Sequence, residues 1–259
     1  MPQSSCIFCT RARPLVKITN EHIIPQWIDE VLTSSMLGQD ISFERTIVKA
    51  DTTIQTSTSP VERLAVIERR LVCEECNSGW MSELEGKTKS LVAPMILGYN
   101  ATLTADQQLT IATWAAMKTM VHEFVWGAGQ SPISPQNDRD IVMHERRPPA
   151  TMQIRLAAVE SKGRPIAVFR RLHQRKHPQV QAPTAQDSVF CVTIVLGCLV
   201  IQIFGGPAAT TNKFDQTTKI APNFLSIWPP NVTAINWPPV IVLDDAGLEA
   251  FAHPLQPLQ

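Results

Sequence analysis

The chain has 259 residues, of which 44% are hydrophobic and 18% are charged, and its basic and acidic side chains balance to a formal net charge of zero. This composition is typical of a globular protein and excludes a disordered chain. Zero net charge gives no overall sign of a nucleic-acid partner, so any such signal must be local. The length suits one large domain or two modest ones.

The N-terminus shows no secretory signal, because no basic region is followed by an apolar stretch. The longest apolar run, from Val189 to Phe204, is too short to span a bilayer and is interrupted by polar residues. We therefore expect an intracellular, cytoplasmic protein without a membrane partner. In that compartment, paired cysteines are expected to bind metal rather than to form disulfides.

Two Cys-x-x-Cys pairs lie within residues 1–90, namely Cys6 with Cys9 and Cys73 with Cys76. Two residues between thiols allow both sulfurs of a turn to bind one ion, and two such turns complete a tetrahedral zinc site. The alternative is four unrelated buried thiols. Two pairs in an intracellular chain favour one structural zinc held by all four cysteines.

Polar residues suited to catalysis stand beside both pairs. Glu21 and His22 precede Ile-Ile-Pro after the first pair, and Asn77 directly follows Cys76 at the start of a predicted helix. If one zinc joins the pairs, these three side chains are expected to meet; the alternative for His22 is a structural histidine. Residues 30–66, rich in Thr and Ser, are predicted to form an insertion with one or two short strands.

The succession of Cys-x-x-Cys, Glu-His-Ile-Ile-Pro and Cys-x-x-Cys-Asn resembles the HNH endonuclease superfamily, in particular its zinc-containing four-cysteine type. The stretch from Cys76 through Trp114 also resembles bacterial and phage proteins labelled HNH endonuclease. The resemblance implies a ββα-metal fold, in which two strands and a helix clasp a divalent cation. It implies that His22 is the general base that activates water for hydrolysis of a DNA phosphodiester. Glu21 and Asn77 would hold Mg²⁺ or Mn²⁺ through oxygen atoms.

Three features depart from the usual family pattern. Glu21 stands where Asp or His is more common, although glutamate also coordinates metals. The separation between His22 and Asn77 is much longer than usual, so residues 30–66 must fold away from the site. The predicted helix carries no further histidine, and Glu85, on the same helical face as Asn77, is either an auxiliary ligand or a charge involved in packing.

Residues 91–259 are predicted to form an accessory region with a helix and a mostly antiparallel sheet, which gives an α+β protein. A capping box of Thr104 and Gln107 begins the helix, and the stretch from Gly127 to Pro135 ends it. Short apolar runs bounded by Gly and Pro predict the strands and a final short helix. These are MQIRLAAV, PIAVF, the run 189–204 with Gly197 at its turn, PPVIVL, and the helix from Asp244 to Phe251.

Charge is unevenly distributed along the chain. Residues 1–90 hold ten basic and twelve acidic residues, whereas residues 144–177 hold nine basic and two acidic ones. Local positive charge of this kind predicts a DNA-binding surface, with a solvated loop or sheet face as the alternative. A second subunit in a homodimer is another way to hold the DNA. The basic residues of the predicted surface are Arg146, Arg147, Arg164, Arg170, Arg171, Arg175 and Lys176.

Three functions compete on this sequence. The motif favours a metal-dependent DNA endonuclease with a structural zinc and a catalytic Mg²⁺ or Mn²⁺. The second is a zinc-stabilised module that binds nucleic acid or protein without catalysis. The third is a zinc-stapled domain whose functional site lies in the C-terminal sheet, where no second motif stands out.

Overall fold

The structure is a computed structural model that describes residues 5–35, 42–48, 54–60, 68–124, 133–160, 166–174, 188–206, 223–230 and 232–252. Within these ranges the protein has the mixed α+β fold that the sequence predicts, with helices packed against mostly antiparallel sheets. No helix in these ranges is long and apolar enough to cross a membrane.

The N-terminal part is built on a two-stranded antiparallel sheet followed by a helical segment. The strands are β1 (Ile18–His22) and β4 (Glu68–Cys73). The helical segment continues directly from β4 as α2 (Glu74–Cys76), a π-helical turn (Asn77–Met81) and α3 (Ser82–Ile96). This order of two strands and a helix confirms the predicted ββα arrangement.

The chain between β1 and β4 leaves this small sheet, as the long separation of the two motifs requires. It forms α1 (Gln26–Ser35), a helix that the sequence pattern did not indicate. Strands β2 (Ser42–Val48) and β3 (Ile54–Pro60) follow as an antiparallel pair, which confirms the predicted short strands of the insertion. Strand β2 also pairs in parallel with β7 (Ile166–Gln174), so the insertion extends the large sheet of the C-terminal part.

The large sheet has seven strands. In addition to β2, β3 and β7 it contains β6 (Met152–Ala158), β8 (Ser188–Leu196), β9 (Leu199–Gly205) and β10 (Leu225–Trp228). Their order is β10-β6-β9-β8-β7-β2-β3, and β2–β7 is the parallel pair in an otherwise antiparallel sheet. Every side chain of β9 is buried, because helices or loops cover both faces of the central strands.

Gly197 makes the turn between β8 and β9, as predicted. Its φ is 56°, a region that favours glycine, and a Cβ there would lie 2.4 Å from the carbonyl oxygen of Ile96. The turn thereby brings the β8–β9 hairpin against the end of α3. This contact joins the helical segment of the N-terminal part to the large sheet.

Helix α4 (Ala105–His122) packs against α3 and against strands β6, β9 and β10. The predicted capping box is confirmed, because the Gln107 backbone N–H donates to Thr104 Oγ1 and the Thr104 N–H donates to the Gln107 side chain. Every side chain from Ile111 to His122 is buried, not only those of one face. The helix ends at His122, earlier than predicted.

Helix α5 (Gln136–Glu145) begins directly after Pro135, where the sequence indicated only the end of the preceding helix. Its composition, QNDRDIVMHE, is mostly polar, so it gives little hydrophobic periodicity. The buried residues Asp138, Arg139 and Val142 nevertheless pack the helix against the protein, and α5 contacts α4.

The run PPVIVL was wrongly predicted as a strand. Val240 is 95% exposed, and of this run Leu243 alone forms a bridge, to Val159. The prolines lack the N–H groups that a ladder needs, and the chain enters the predicted final helix immediately afterwards. That helix is α6 (Asp245–Ala252), and Asp244 Oδ1 accepts from the Gly247 N–H at 2.7 Å as its cap.

The two Trp-Pro-Pro segments dock onto the core. Strand β10 ends at Trp228, whose indole N–H donates to Pro149 O at 3.0 Å. Strand β11 (Ile235–Trp237) pairs with β5 (Ala101–Leu103) and buries Trp237. The main core extends without a break from Cys6 to Trp237, and α3 runs through residue 90, where the sequence suggested a domain boundary.

Candidate functional site

The four cysteines of the two pairs meet in one cluster, with their Sγ atoms all within 4.8 Å of one another. The first pair lies in a tight turn that is joined to β4, because Ile7 N–H donates to Leu71 O at 2.9 Å. The second pair spans the end of β4 and the start of the helical segment. Zinc–sulfur bonds of about 2.3 Å place tetrahedral sulfurs roughly 3.8 Å apart. The donor set therefore fits one structural zinc.

Electrostatics in the cluster favour a bound cation. The Cys76 thiol hydrogen-bonds to Cys6 and holds the pKa of Cys6 at about 4, while burial raises the pKa of Cys73 to about 11. Thiolates so close together repel one another, and a cation among them would offset this repulsion. Arg11 adds positive charge from outside, since its Nε donates to Cys9 Sγ at 3.4 Å and its terminal nitrogen to Cys73 Sγ at 3.8 Å.

The three predicted catalytic residues are brought to one cavity of about 550 Å³. The cavity lies between β1, α1 and the helical segment that follows the second cysteine pair. His22 is partly exposed at the end of β1, and its Nε2 lies 3.1 Å from Gln26 Nε2 on α1. We call this space the His22 cavity; its walls include Thr19, Asn20, Glu21, His22, Gln26 and Asn77.

Asn77 contacts the small sheet at a β-bulge. The register of β1 with β4 shifts between Thr19 and Asn20, so Leu71 on β4 is an extra residue and its carbonyl is free to accept from the first cysteine turn. Opposite it, Asn77 Nδ2 donates to Thr19 Oγ1 at 3.1 Å and to Asn20 O at 2.9 Å. The bulge sets the direction of the strand just before His22, and Asn77 fixes it.

Replacing Asn77 by aspartate is expected to lower the free energy of unfolding by about 1–3 kcal/mol, because an isosteric carboxylate has no N–H and faces the carbonyl of Asn20. Urea denaturation checks the value. Asn236→Asp is the matched control, since its side-chain oxygen accepts from Thr102 at an exposed site and still can. Equal stability of Asn77→Asp and the wild type would contradict the role of Asn77 in holding the bulge.

Glu21 is bound to a buried lysine that the sequence analysis missed. Lys118 Nζ on α4 lies 2.6 Å from Glu21 Oε1 and 2.5 Å from Glu85 Oε1, and it donates to the backbone oxygen of His22 at 3.0 Å. The Lys118 side chain is 2% exposed. We call Glu21, Glu85 and Lys118 the buried charge cluster; in it Glu85 pairs with Lys118.

Lys118 is held in its charged form. Burial alone would lower its pKa, but Glu21 and Glu85 outweigh this effect and raise the pKa above its ordinary value. Burial also raises the pKa of Glu21, against the opposing influence of Lys118. A buried ammonium between two carboxylates is compensated, whereas either partner alone would carry a large desolvation cost.

The ion pair with Lys118 does not favour Glu21 as a ligand of a divalent cation. Glu21 Oε1 already accepts from Lys118, whereas the contacts of Asn77 with β1 are made by Nδ2 and do not involve its oxygen. Glu21 and Asn77 as ligands of Mg²⁺ or Mn²⁺ therefore stay a prediction, which the described contacts do not favour for Glu21.

The predicted basic surface is described only in part. Arg146 is exposed and its guanidinium lies 4.6 Å from the centre of the Trp80 ring, in the π-helical turn that also holds Asn77. Arg147 pairs with Glu145 at the surface. Arg170 and Arg171 belong to β7, while Arg164, Arg175 and Lys176 lie outside the described residues.

The sequence around Lys118 indicates that this lysine needs an acidic partner. It lies on the same helical face as Ile111 and Trp114, and a lysine in an apolar stripe needs an acidic partner if the stripe is buried. Nearby residues do not reveal which acidic residue is the partner, since Glu21 is far away in sequence.

Comparison of the chain with protein-family models, curated proteins and solved structures finds no match. The four-cysteine cluster that could hold a metal and the geometry of the His22 cavity are therefore the grounds on which a function can be argued.

Proposed function

We propose that this protein is an HNH-type endonuclease that hydrolyses DNA phosphodiester bonds in the His22 cavity, with His22 as the general base. The observation that carries the proposal is the meeting of His22 and Asn77 in one open cavity, on two strands and a helix joined by the four-cysteine cluster. Joining the cysteine pairs accounts for the approach of these two side chains, and the open cavity around them gives a substrate room to enter.

His22 is suited to take a proton from water. Its imidazole is partly exposed, at the end of a strand whose direction is fixed by the bulge and by Asn77. Its backbone is also anchored, because the carbonyl oxygen of His22 accepts from Lys118. Histidine is the side chain that most often serves as a general base in enzymes. Gln26 orients the ring through Nε2 and must give way to the attacking water.

Arg146 supports DNA as the substrate. Its guanidinium, stacked over Trp80, places positive charge beside the helical segment that lines the cavity. Phosphate groups are attracted by such charge. The charged residues that line the cavity are mainly glutamates, so the positive charge for DNA must come from outside the cavity. A homodimer would add a second basic surface. Size-exclusion chromatography with light scattering would detect the dimer.

Replacing His22 by alanine is expected to lower the rate of DNA cleavage by about a hundred-fold or more, because general-base catalysis contributes a factor of about 10² to 10⁴. The measurement is nicking of supercoiled plasmid by zinc-loaded protein. It is run in buffer freed of other divalent ions, and again with Mg²⁺ or Mn²⁺ added.

Two controls keep this test specific. Bound zinc and the unfolding curve must match those of the wild type, since His22 is no ligand of the cysteine cluster. Added imidazole is expected to restore part of the cleavage, because it can occupy the space left by the side chain. Wild-type cleavage by His22→Ala would remove His22 as the base, and absence of cleavage by the wild type under all metal conditions would reject the nuclease.

A zinc-stabilised binding module without catalysis is the second candidate. The observation that favours it is the ion pair of Glu21 with Lys118, which commits the predicted metal ligand to a lysine. This candidate predicts that the wild type retards DNA or RNA in a gel but leaves every strand intact. The plasmid assay above therefore separates the two functions.

A further inference from the structure

Lys118 places a positive charge among oxygens of β1 and α3. Its Nζ is surrounded by three oxygens, from Glu21 and His22 on β1 and from Glu85 on α3. The ammonium donates hydrogen bonds to Glu21 Oε1 and to the His22 carbonyl, and Glu85 Oε1 lies 2.5 Å from it as an ion pair. The strand and the helix that form the walls of the His22 cavity thus supply a set of oxygens already filled by a positive charge.

The same oxygen set has the chemistry that a hard divalent cation requires. Mg²⁺ and Mn²⁺ bind carboxylate and carbonyl oxygens, and Glu21, Glu85 and the His22 carbonyl are of these types. Both carboxylates cannot serve Lys118 and a divalent ion fully at the same time. A divalent ion could take this place only if the ammonium moved away.

The surroundings of Lys118 oppose such a move. Its side chain is 2% exposed, and the small cavity beside it is lined mainly by apolar residues such as Ile24, Ile28 and Trp114. An ammonium pushed into that environment would be a buried charge without a partner, which is strongly unfavourable. The carboxylates therefore retain the lysine rather than exchange it.

We propose that the Lys118 ammonium is the resident cation of this site, and that it excludes divalent ions from Glu21 in the folded protein. A role for this ammonium in catalysis rests on the proposed function. The test below measures ion binding and not cleavage, so failure of this proposal can be distinguished from failure of the nuclease.

Manganese titration of the zinc-loaded protein tests the proposal, with free Mn²⁺ followed by electron paramagnetic resonance. The wild type and Glu21→Gln are expected to give superposable curves, because Glu21 does not bind the ion. Lys118→Met removes the ammonium at similar side-chain length and is expected to bind Mn²⁺ about ten-fold or more tightly than the wild type. The double variant Lys118→Met with Glu21→Gln is expected to lose this gain.

Lys87→Met is the matched control, since Lys87 pairs with Glu83 at 2.6 Å on the exposed side of α3. It removes a lysine from a glutamate without opening a buried set of oxygens, so it should bind Mn²⁺ as the wild type does. Circular dichroism and bound zinc establish that each variant is folded.

Two results would overturn the proposal. One is a wild type whose Mn²⁺ affinity falls about ten-fold or more in Glu21→Gln, which would make Glu21 a ligand despite Lys118. The other is a folded Lys118→Met variant that titrates like the wild type. If Lys118→Met does not fold, the comparison of the wild type with Glu21→Gln decides by itself.

Discussion

Replacement of Cys76 by serine is expected to abolish zinc binding and to unfold the N-terminal part of the protein. Cys76 is buried and belongs to a cluster whose four sulfurs lie within 4.8 Å of one another. Structural zinc contributes on the order of 10 kcal/mol of folding free energy in small zinc domains. The cluster also joins the first cysteine turn to β4 and to the helical segment, so its loss separates three elements at once.

The measurements are bound zinc, by a colorimetric chelator after denaturation, and helix content by circular dichroism. Cys191→Ala is the matched control, because Cys191 is a buried thiol of β8 outside the cluster. It is expected to keep its zinc. Full zinc content and wild-type helix content in Cys76→Ser would show that this cysteine is not a ligand.

Replacing Arg139 by methionine is expected to lower the free energy of unfolding by about 3–5 kcal/mol, because it leaves a buried carboxylate without its partner. Arg139 and Glu123 have side chains that are each 3% exposed, with 2.5 Å between nitrogen and oxygen. Ser134 donates to Glu123 through its backbone N–H and its hydroxyl, but these contacts do not neutralise the charge. Arg139 also lies over the Phe124 ring at 5.1 Å.

Arg147→Met is the matched control for this prediction. Arg147 pairs with Glu145 at 2.6 Å, but the two side chains are 37% and 51% exposed. Exposed pairs contribute about 0–1 kcal/mol, so this variant should unfold close to the wild type in urea. Equal losses in the two variants would mean that burial does not determine the strength of the Arg139 pair.

The parts of the molecule that the sequence predicted are those encoded by short spacings. The two cysteine pairs, the capping box at Thr104 and the turn at Gly197 each depend on residues a few positions apart, and the structure confirms all of them. The meeting of His22 with Asn77 followed from the cysteine pairs, because joining the pairs also joins their neighbours.

The parts that the sequence did not predict depend on distant partners or on burial. Lys118 was not connected with Glu21 because nothing local links a helix residue to a strand residue almost a hundred positions away. Helix α5 is held by its contact with α4 rather than by a hydrophobic pattern of its own. The run PPVIVL has strand-like composition, but among the described residues it pairs only at Leu243.

The parallel pairing of β2 with β7 has a consequence for synthesis on the ribosome. When the N-terminal third of the chain emerges, β2 has only β3 beside it, because β7 (Ile166–Gln174) has not yet been made. Glu21 is also synthesised well before Lys118, its partner in the folded protein. The nascent chain thus exposes an unpaired strand edge, a feature that favours association with other chains. Zinc bound early by the cysteines would hold the first cysteine turn, β4 and the helical segment together until the remaining strands of the large sheet have been synthesised.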